Sequence, residues 1–470
     1  MKEQKFIIGG EWRTGDATTT VLDPYTNSDL AQLHLAGKEN IEESILSAQK
    51  AFTITSQYSG FERSEILHSI VSQLKSKKED FARCITAEAG KPIVFSRAEV
   101  DRAIITFEIA AEETKRIYGE TIPLDISKGT KGKQGIVNSF PIGIILCISP
   151  FNFPLNLVAH KIAPAIATGN SFILKPAPQS PLTSLLLGEV LMNSGLEKST
   201  INILPTSNDL AEMLVRDERI AMVSFTGSAK VGWMLKSKAG KKKVVLELGG
   251  NASAIIDSSA DIAHAVKRCV IGAFGYAGQV CIKVQRILVH ESVFEQFQHQ
   301  IVEEAKKVKM GDPSDESNIL GPMISEMEAQ RVESWVNEAE KEGATILIGG
   351  TRNGKFYSPT VMTNVHSSMK ICSEEIFGPI VTLEKYSHVN EAISIVNESK
   401  YGLQAGLFSN NFATIQHIYK HLSVGGLIVN DFPTFRVDNM PYGGIKDSGF
   451  GREGVRYAME EMMEKKLLVI

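Results

Sequence analysis

The sequence predicts an α/β protein built from two doubly wound parallel sheets. Three observations support this prediction. The chain has 470 residues, more than one hydrophobic core usually serves, so two or more domains are expected. Short apolar runs alternate with helical patterns from residue 142 to about residue 248, and a second alternation begins near residue 250.

The first 120 residues are predicted to form a hairpin followed by helices. The opening segment KFIIGGEWRTG alternates apolar and turn residues, as a small hairpin does. Apolar residues at spacings of three and four then predict helices over residues 40–52, 63–90 and 100–117. Gly90 and Pro92 are helix stop signals after the second of these.

The first strand–helix alternation is predicted to form one parallel sheet. Its strands are IGIILCISP, SFILKP, INILP, AMVSFTG and VVLELGG, and the helical patterns between them are KIAPAIATG, PLTSLLLGEVLMNSG, DLAEMLVRD and VGWMLKSKAG. The second alternation contains the strands ASAIID, RILVHE, ATILIGG, PIVTLEKY, QAGLFS and GGLIVND. Its helices are predicted over residues 262–278 and from Phe294 and Ser325 onward. A second α/β unit is therefore expected after residue 250.

A two-stranded excursion is predicted to project from the first unit. The segment GETIPLDISKGTKGKQGIVNSFP has strand-like ends and a tip rich in glycine and lysine, and the C-terminal EKKLLVI can pair with its edge. Since an isolated hairpin is at best marginally stable in water, we expect a partner subunit to cover these edges.

Composition excludes several classes of function. The formal net charge is -4, with 43% hydrophobic and 22% charged residues, so there is no basic surface for nucleic acid or anionic membrane. The five cysteines are scattered and never spaced as CxxC, which argues against disulfides and a structural zinc site. No apolar run is long enough to span a bilayer. We expect a cytoplasmic protein without a membrane span or a bound metal.

Three polar positions follow predicted strands of the first unit. Thr226-Gly227-Ser228 opens a helix and can bring backbone N–H groups to a phosphate, although an ordinary N-capped turn is the alternative. Lys175 ends a strand where open sheets bind ligands, or it is a solvated lysine. Asn152 can donate its amide to a developing oxyanion, or it forms an Asx turn. No GxGxxG follows any strand, so a nucleotide would require another loop geometry.

Glu247 and Cys281 are the strongest chemical candidates. Glu247 lies in the apolar strand VVLELGG, and a buried carboxylate is costly unless it has a partner or a function. Burial also raises a carboxyl pKa toward the range of a general base. Cys281, in GQVCI, follows one helical pattern later, so a glutamate base and a cysteine nucleophile can face one site. The alternative for Cys281 is a buried structural thiol.

Seven motifs in order resemble the aldehyde dehydrogenase superfamily over essentially the whole chain: SPFNFP, LKPAPQSP, FTGS, ELGGN, GQVC, EEIFGP and MPYGGIKDSGFGREG. The resemblance implies an aldehyde dehydrogenase-like fold with a cofactor-binding domain over residues 1–120 and 141–248. It implies a catalytic domain over residues 249–440 and an oligomerisation flap over residues 121–140 and 455–470. It further implies a small-molecule aldehyde substrate, NAD or NADP as the cofactor, and a homodimer or homotetramer.

The resemblance implies oxidation of the aldehyde to a carboxylic acid at Cys281. Cys281 matches the nucleophile that forms a thiohemiacetal, and the Asn152 side chain and the Cys281 N–H resemble an oxyanion hole. After oxidation, water activated by Glu247 hydrolyses the thioester. Lys161 and Glu453 match positions linked in the family to proton movement away from the base.

The resemblance also assigns a cofactor site. Lys175 and Glu375 resemble the ribose-binding pair, Phe377 packs near the nicotinamide ribose, and Ser228 contacts the pyrophosphate. The expected cofactor-binding residues are Ser149, Pro150, Phe151, Lys175, Pro178, Phe225, Gly227, Ser228, Leu248, Glu375 and Phe377. Pro178 stands where NAD-preferring members often carry a glutamate, so the usual discrimination against NADP is missing and both cofactors are expected to bind.

Four residues are expected to contact the aldehyde, namely Arg102, Phe153, Val280 and Arg436. Members that act on phosphorylated glyceraldehyde carry an arginine in place of Val280, which disfavours a phosphorylated substrate. The two arginines fit a hydroxyl or carboxylate on a short aldehyde, as in lactaldehyde- or semialdehyde-type enzymes. Alternatively, they are structural and pair with acids such as Asp101 or Asp438.

Two other functions remain open at this point. One is a CoA-acylating dehydrogenase of the same fold, although that route does not need the water-activating Glu247. The other is a non-catalytic binding or structural protein, which predicts loss of Cys281, Asn152 or Glu247. All three residues are present.

Overall fold

The computed structural model describes residues 2–470. The strands are β1 Lys2–Gln4, β2 Phe6–Ile8, β3 Glu11–Arg13, β4 Ala17–Leu22, β5 Asp29–Leu35, β6 Glu120–Pro123, β7 Gln134–Pro141, β8 Ile144–Ile148, β9 Ser171–Lys175, β10 Ile220–Thr226, β11 Lys243–Glu247, β12 Ser253–Ile256, β13 Arg286–His290, β14 Thr345–Ile348, β15 Arg352–Asn353, β16 Phe356–Tyr357, β17 Thr360–Thr363, β18 Ile380–Tyr386, β19 Tyr401–Gly402, β20 Gln404–Phe408, β21 Gly426–Val429, β22 Ile445–Lys446, β23 Gly449–Phe450 and β24 Met463–Val469. The α-helices are α1 Lys38–Thr55, α2 Gly60–Ser76, α3 Lys78–Ala89, α4 Ile93–Glu113, α5 Asn156–Thr168, α6 Leu182–Met192, α7 Asn208–Arg216, α8 Ala229–Lys238, α9 Ile262–Phe274, α10 Phe294–Ala305, α11 Glu326–Lys341, α12 Lys370–Ser373, α13 Val389–Asn397, α14 Phe412–His421 and α15 Val455–Glu461.

The first predicted sheet has the strand order β23-β11-β10-β8-β9. Its four long strands are parallel, and the two-residue β23 pairs antiparallel with β11 at the edge. Alternate residues of β8 enter two separate apolar clusters, Ile145 and Cys147 in one and Ile144 and Leu146 in the other. Because both faces of this sheet are covered, its strands are continuous apolar runs. The prediction of a doubly wound sheet is confirmed.

The second sheet has the order β14-β17-β18-β13-β12-β20-β21. All its pairs are parallel except β14 with β17 at one edge. Ala254 and Ile256 pack on one face and Ile255 on the other, so this sheet too is covered on both sides. The α/β prediction therefore holds for both halves of the chain.

The predicted excursion is a three-stranded antiparallel sheet with the order β24-β7-β6. The C-terminal strand pairs with β7 from Met463 opposite Pro141 to Val469 opposite Gly135. The expected pairing of the C-terminus with this excursion is thus confirmed.

The N-terminal region contains one sheet that the sequence did not predict. The hairpin of β2 and β3 is present, with Ile7 opposite Trp12. Beside it, β1, β5 and β4 form a further sheet in the order β1-β5-β4. Its strands are mostly exposed, so they lack the apolar runs that reveal buried strands.

Three predicted elements differ from the structure. The helix predicted over residues 63–90 is two helices, α2 and α3, which meet at Lys77 and both pack against α4. The segment INILP forms only a bridge, in which Ile203 pairs with Ile7 and Leu174, because Pro205 has no N–H to continue a ladder. The helix predicted over residues 262–278 ends at Phe274, before a tight turn.

Among the helices of residues 2–470, none combines the length and apolar character needed to cross a membrane.

Candidate active site

The carboxyl ends of four neighbouring parallel strands carry candidate residues. Residues 149–152 follow β8, Lys175 ends β9, Ser228 follows β10 and Glu247 ends β11. Open α/β sheets bind their ligands at this edge. The topology of the first sheet therefore gathers residues that lie almost 100 positions apart in the sequence.

Cys281 lies on the loop that follows α9 and its terminal turn. In this turn Tyr276 and Ala277 have φ values of 53° and 52°, a conformation that costs non-glycine residues about 1–3 kcal/mol. The Cys281 side chain is partly exposed, and its Sγ is 3.2 Å from the hydroxyl of Tyr442. Desolvation raises the pKa of this thiol to about 11, and the hydrogen bond with Tyr442 opposes that increase. A thiol in this position needs nearby groups to stabilise its thiolate.

Glu247 is buried, and neither carboxylate oxygen has a hydrogen-bond partner among residues 2–470. A side chain at Gly443 would approach Oε1 within 2.9 Å, so the carboxylate lies against the residue next to Tyr442. Burial raises the pKa of Glu247 well above its ordinary value, and the neighbouring Glu453 raises it further. An unpartnered carboxylate with a raised pKa has the properties of a general base.

Asn152 is buried beside the loop that carries the thiol. Its Nδ2 donates to the backbone carbonyl of Gln279 over 2.8 Å, which leaves the second amide hydrogen available. The backbone N–H of Cys281 has no acceptor in the described part of the chain. The two donors are suited to an oxyanion that forms on a carbonyl attacked by Cys281.

Glu453 joins two cations. Its Oε1 accepts from Lys161 Nζ at 3.0 Å, and its Oε2 accepts from Arg436 Nη2 at 3.1 Å. Lys161 also donates to the Ser224 hydroxyl at 3.1 Å. Burial alone would raise the pKa of Glu453, but the charges of Lys161 and Arg436 hold it below its usual value. Glu453 therefore links Lys161 and Arg436 into one buried cluster.

Arg102 forms a second ion pair, with the buried Asp438. Its Nη2 and Nε donate to the two carboxylate oxygens at 2.7 and 3.3 Å. His160 Nε2 lies 2.8 Å from the same carboxylate. Burial lowers the pKa of His160 and so favours the neutral ring, whereas hydrogen bonds from His160 and Arg102 hold the pKa of Asp438 low despite its burial. This group is close to neutral overall.

The alternative in which Arg102 and Arg436 are structural residues paired with acids thus holds in part. Arg102 pairs with Asp438, as that alternative expected, while Asp101 pairs with Lys78. Arg436 pairs with Glu453, stacks 3.7 Å over the ring of Tyr442, and its buried Nε has no acceptor within residues 2–470. Since the Tyr442 hydroxyl contacts Cys281, Tyr442 links Arg436 to the thiol.

On the cofactor side, Lys175 is 5% exposed and forms no ion pair in the described part of the chain. Burial lowers its pKa to about 8. Pro178, three residues later, is exposed. A buried lysine without an acid partner can bind an oxygen-rich or anionic ligand.

The Glu375 carboxylate packs against two glycines. Glu375 Oε1 accepts from the Gly250 N–H at 3.1 Å, and a side chain at Gly249 would collide with the Glu375 carboxylate. Burial raises the pKa of Glu375 to about 7, which the Gly250 N–H opposes. The Ser228 hydroxyl caps α8 by accepting a hydrogen bond from the Val231 N–H, as the capped-turn alternative expected. Ser228, at the start of α8, follows a strand of the first sheet, whereas Glu375 precedes a strand of the second sheet.

The remaining cofactor candidates pack around this edge. Phe151 and Phe377 meet edge to face at 6.0 Å, and Phe377 has a φ of 44°. The Phe225 ring covers Gly227. The other three are Ser149 and Leu248, which are buried, and Pro150, which is partly exposed.

The ring of Phe153 contacts a buried cation that the sequence did not single out. Lys91 Nζ lies 3.6 Å from the Phe153 ring centroid and 4.8 Å from that of Tyr276, and it pairs with Glu99. The second oxygen of Glu99 accepts from the N–H groups of residues 155 and 156, where α5 begins. This ion pair joins the loop of Asn152 to the turn before Cys281. Val280, the fourth substrate candidate, packs in a small apolar cluster with Cys281.

Comparison with known proteins places this geometry in context. The model of the aldehyde dehydrogenase family matches residues 12–468. A 3-sulfolactaldehyde dehydrogenase of Priestia aryabhattai is 43% identical over 471 residues, covering 100% of this chain and 98% of that protein. The crystal structure of aldehyde dehydrogenase 21 from Physcomitrella patens, in complex with the reaction product succinate, is 46% identical with a TM-score of 0.97, covering 100% of this chain and 98% of that one. The crystal structure of the glyceraldehyde-3-phosphate dehydrogenase GapN from Methanocaldococcus jannaschii, complexed with NADP, is 38% identical with a TM-score of 0.93, covering 97% of this chain and 99% of that one.

Proposed function

The chain belongs to the aldehyde dehydrogenase family and is an NAD(P)-dependent oxidoreductase, and from this premise we propose which aldehydes it oxidises and which residues act. The proposed substrate is a short aldehyde that carries a second, anionic group. Cys281 is the proposed nucleophile, Glu247 the base, and Asn152 with the Cys281 N–H the oxyanion hole. The buried Arg436 Nε, which has no acceptor within residues 2–470, is the observation that carries the substrate class.

In the first step, the thiolate of Cys281 adds to the aldehyde carbon. A carbon–sulfur bond forms, and the carbonyl oxygen becomes an oxyanion that accepts from the free amide hydrogen of Asn152 and from the Cys281 N–H. The oxidised cofactor, which Lys175, Ser228 and Glu375 would hold, would supply the two-electron oxidation by accepting a hydride from this adduct, and a thioester would remain. The resting contact between Asn152 and the Gln279 carbonyl holds the amide in place.

In the second step, Glu247 removes a proton from water that attacks the thioester carbon. The carbon–sulfur bond then breaks, the carboxylic acid leaves, and Cys281 departs as a thiolate. Glu247 must release its proton before the next turnover. The buried Lys161–Glu453 pair, whose acid perturbs the pKa of Glu247, is the proposed route for that proton.

The chain's own residues fit NAD(P). Lys175 is the buried donor for the adenosine ribose or its phosphate, the N-terminal turn of α8 at Ser228 takes the pyrophosphate, and Glu375 holds the nicotinamide ribose. The fit rests on the buried Lys175, which has no ion-pair partner within residues 2–470, and on the start of α8, where the Phe225 ring covers Gly227.

We predict that Pro178→Glu restores discrimination against NADP. A carboxylate beside Lys175 would repel a 2′-phosphate, so kcat/KM with NADP should fall by about 10- to 100-fold while the value with NAD stays within a few-fold. Gln179→Glu, which adds the same charge at the next exposed position, is the control. Equal losses with both cofactors, or a wild-type preference for NAD above about a thousandfold, would contradict dual cofactor use.

The anionic substrate class follows from the free donor of Arg436 and is consistent with three of the relatives. The Arg436 Nε is buried and has no acceptor within residues 2–470, so it can donate to an anionic group on the substrate. Those three have a sulfo group, succinate or a phosphate in their names or titles. A carboxylate or sulfonate at the end of a short aldehyde would accept a hydrogen bond from the Arg436 Nε.

A panel of aldehydes tests this proposal. We expect succinic semialdehyde and sulfolactaldehyde to exceed butyraldehyde, a neutral aldehyde of similar length, by at least about tenfold in kcat/KM, as one charged hydrogen bond would give. Arg436→Met should abolish that ratio, because kcat/KM should fall further for the anionic substrates than for butyraldehyde. Arg268→Met is the matched control, because Arg268 also pairs with an acid, Asp431, and stacks on an aromatic ring. A panel in which neutral aldehydes are the best substrates would exclude the anionic class.

The same assays address the CoA-acylating alternative. The buried, unpartnered Glu247 favours hydrolysis, so added CoA should neither accelerate turnover nor appear as acyl-CoA. A CoA-dependent product would replace the proposed hydrolytic step with thiolysis.

A homodimer is the proposed minimum assembly. At the end of β24, Leu467, Leu468, Val469 and Ile470 are 48 to 59% exposed on a three-stranded sheet. Four consecutive exposed apolar residues on such a sheet are typical of an interface. We expect Leu467→Asp to lower the mass measured by sedimentation, whereas Met327→Asp, at an exposed position on α11, leaves it unchanged. A monomeric wild-type protein would refute this assembly.

A further inference from the structure

We propose that Tyr442 is a further catalytic residue, whose hydroxyl donates a hydrogen bond to the Cys281 thiolate when it forms and again when it leaves. The inference rests on the proposed function of Cys281 as the nucleophile. Tyr442 is 3% exposed, and its hydroxyl lies 3.2 Å from Cys281 Sγ. It is the one side-chain hydrogen-bond partner of that sulfur within residues 2–470.

The position of Tyr442 is fixed by the acid–base cluster itself. Its backbone N–H donates to the Glu453 carbonyl at 3.0 Å, and its carbonyl accepts from the Glu453 N–H at 2.7 Å. The Glu453 side chain binds Arg436, and the Arg436 guanidinium stacks 3.7 Å over the Tyr442 ring. The three residues therefore form a closed ring of contacts that aims one hydroxyl at the sulfur.

The chemistry of the two groups sets the direction of the hydrogen bond. Burial raises the pKa of Tyr442 well above its ordinary value, so the phenol keeps its proton throughout the reaction. A thiolate has no hydrogen to donate and accepts strongly. The positive charge of Arg436 over the ring withdraws electron density and makes the phenol a better donor. Tyr442 thus stabilises negative charge on sulfur without transferring a proton.

This contact is strongest at two points of the cycle. Before addition, it favours the thiolate against the desolvation that disfavours it. In the thiohemiacetal and the thioester the sulfur is neutral and accepts weakly, so the bond weakens. When the thioester is hydrolysed, the departing sulfur regains its charge and the full hydrogen bond. Tyr442 should therefore affect thiolate formation and departure more than aldehyde binding.

Alkylation of Cys281 by iodoacetamide tests the proposal without aldehyde or cofactor. The rate, followed by peptide mass, rises with pH as the thiolate forms. In Tyr442→Phe the midpoint should rise by about one pH unit, and kcat should fall about tenfold with KM within a few-fold, as the loss of a hydrogen bond to a charged group predicts. Tyr386→Phe is the matched control, because Tyr386 is 2% exposed and its hydroxyl also makes one hydrogen bond, to the Ile256 carbonyl.

The outcomes separate this inference from the proposed function. A midpoint raised only in Tyr442→Phe supports it, whereas an unchanged or lowered midpoint overturns it, even if Cys281 proves to be the nucleophile. Should Tyr442→Phe fail to fold, 3-fluorotyrosine at position 442 keeps the ring and hydroxyl and makes the phenol more acidic. It should lower the alkylation midpoint, and no change there overturns the inference. Retention of activity in Cys281→Ala would instead refute the proposed function. The alkylation midpoints of Tyr442→Phe and wild type would still report whether Tyr442 stabilises the Cys281 thiolate.

Discussion

Cys281→Ala is expected to abolish aldehyde oxidation, with a fall in kcat on the order of 10⁴-fold or more, as for removal of a catalytic nucleophile. Without the thiol no thiohemiacetal forms, so the aldehyde cannot reach the thioester from which the acid is released. NAD(P)H formation, followed at 340 nm with a saturating aldehyde, measures the effect. Binding of NAD(P) should survive, because the proposed cofactor contacts lie at the ends of β8 to β10 and at Glu375.

Cys84→Ala is the control for Cys281→Ala. Cys84 is the other cysteine among residues 2–470 that is not fully buried, and it contacts Thr183 rather than the candidate site. Burial raises the pKa of the Cys84 thiol above its ordinary value, which disfavours its thiolate. Its replacement should leave kcat within a few-fold of wild type. Substantial oxidation by Cys281→Ala, or loss of oxidation in Cys84→Ala, would contradict the assignment of the nucleophile.

Glu247→Gln is expected to separate oxidation from hydrolysis. Glutamine has almost the same shape but cannot take a proton from water, so the thioester should form and persist. We predict a rapid burst of about one NAD(P)H per active site, followed by a steady-state rate reduced by about 10²- to 10⁴-fold, the usual contribution of a general base. Stopped-flow absorbance measures both phases.

The pH dependence of thioester hydrolysis is an independent test of Glu247 as the base. Its pKa is raised, so it is protonated and inactive at low pH, and hydrolysis in the wild-type enzyme should accelerate as pH rises through that pKa. Glu247→Gln should lack this increase of the hydrolysis rate with pH. Glu374→Gln is the control, because Glu374 pairs with Lys400 at the surface. Wild-type steady-state turnover in Glu247→Gln, or an unchanged pH profile, would assign the base to another group.

Much of the fold could be predicted from the sequence because buried parallel strands have a strong signal. The runs at β8, β9, β10 and β11 are apolar on both faces, and the first three are each followed by a helical pattern. Exposed strands lack this signal, which is why the sheet of β1, β4 and β5 was missed. The break at Lys77 was missed because KSKK favours a helix throughout, and only packing against α4 separates the two halves.

Site residues could be predicted where a polar side chain is unusual for the sequence around it. Glu247 in an apolar strand and Asn152 after a strand are such positions, and the structure gathers them near Cys281. The contact of Tyr442 with Cys281 joins residues 161 positions apart, and nothing local in MPYGG distinguishes that hydroxyl. The ion pair of Arg102 with Asp438 likewise joins residues 336 positions apart, whereas Lys91 and Glu99, eight positions apart, are buried together at the start of α4.

The central claim is that aldehyde oxidation proceeds through a thioester on Cys281 that Glu247 hydrolyses, and the mass of the trapped enzyme tests it most directly. Glu247→Gln is mixed with succinic semialdehyde and NADP, quenched in acid and digested. The account predicts a succinyl group on the peptide that contains Cys281, at a stoichiometry matching the NADPH burst. A burst of NADPH with no acyl group on Cys281, or an acyl group on another residue, would contradict it.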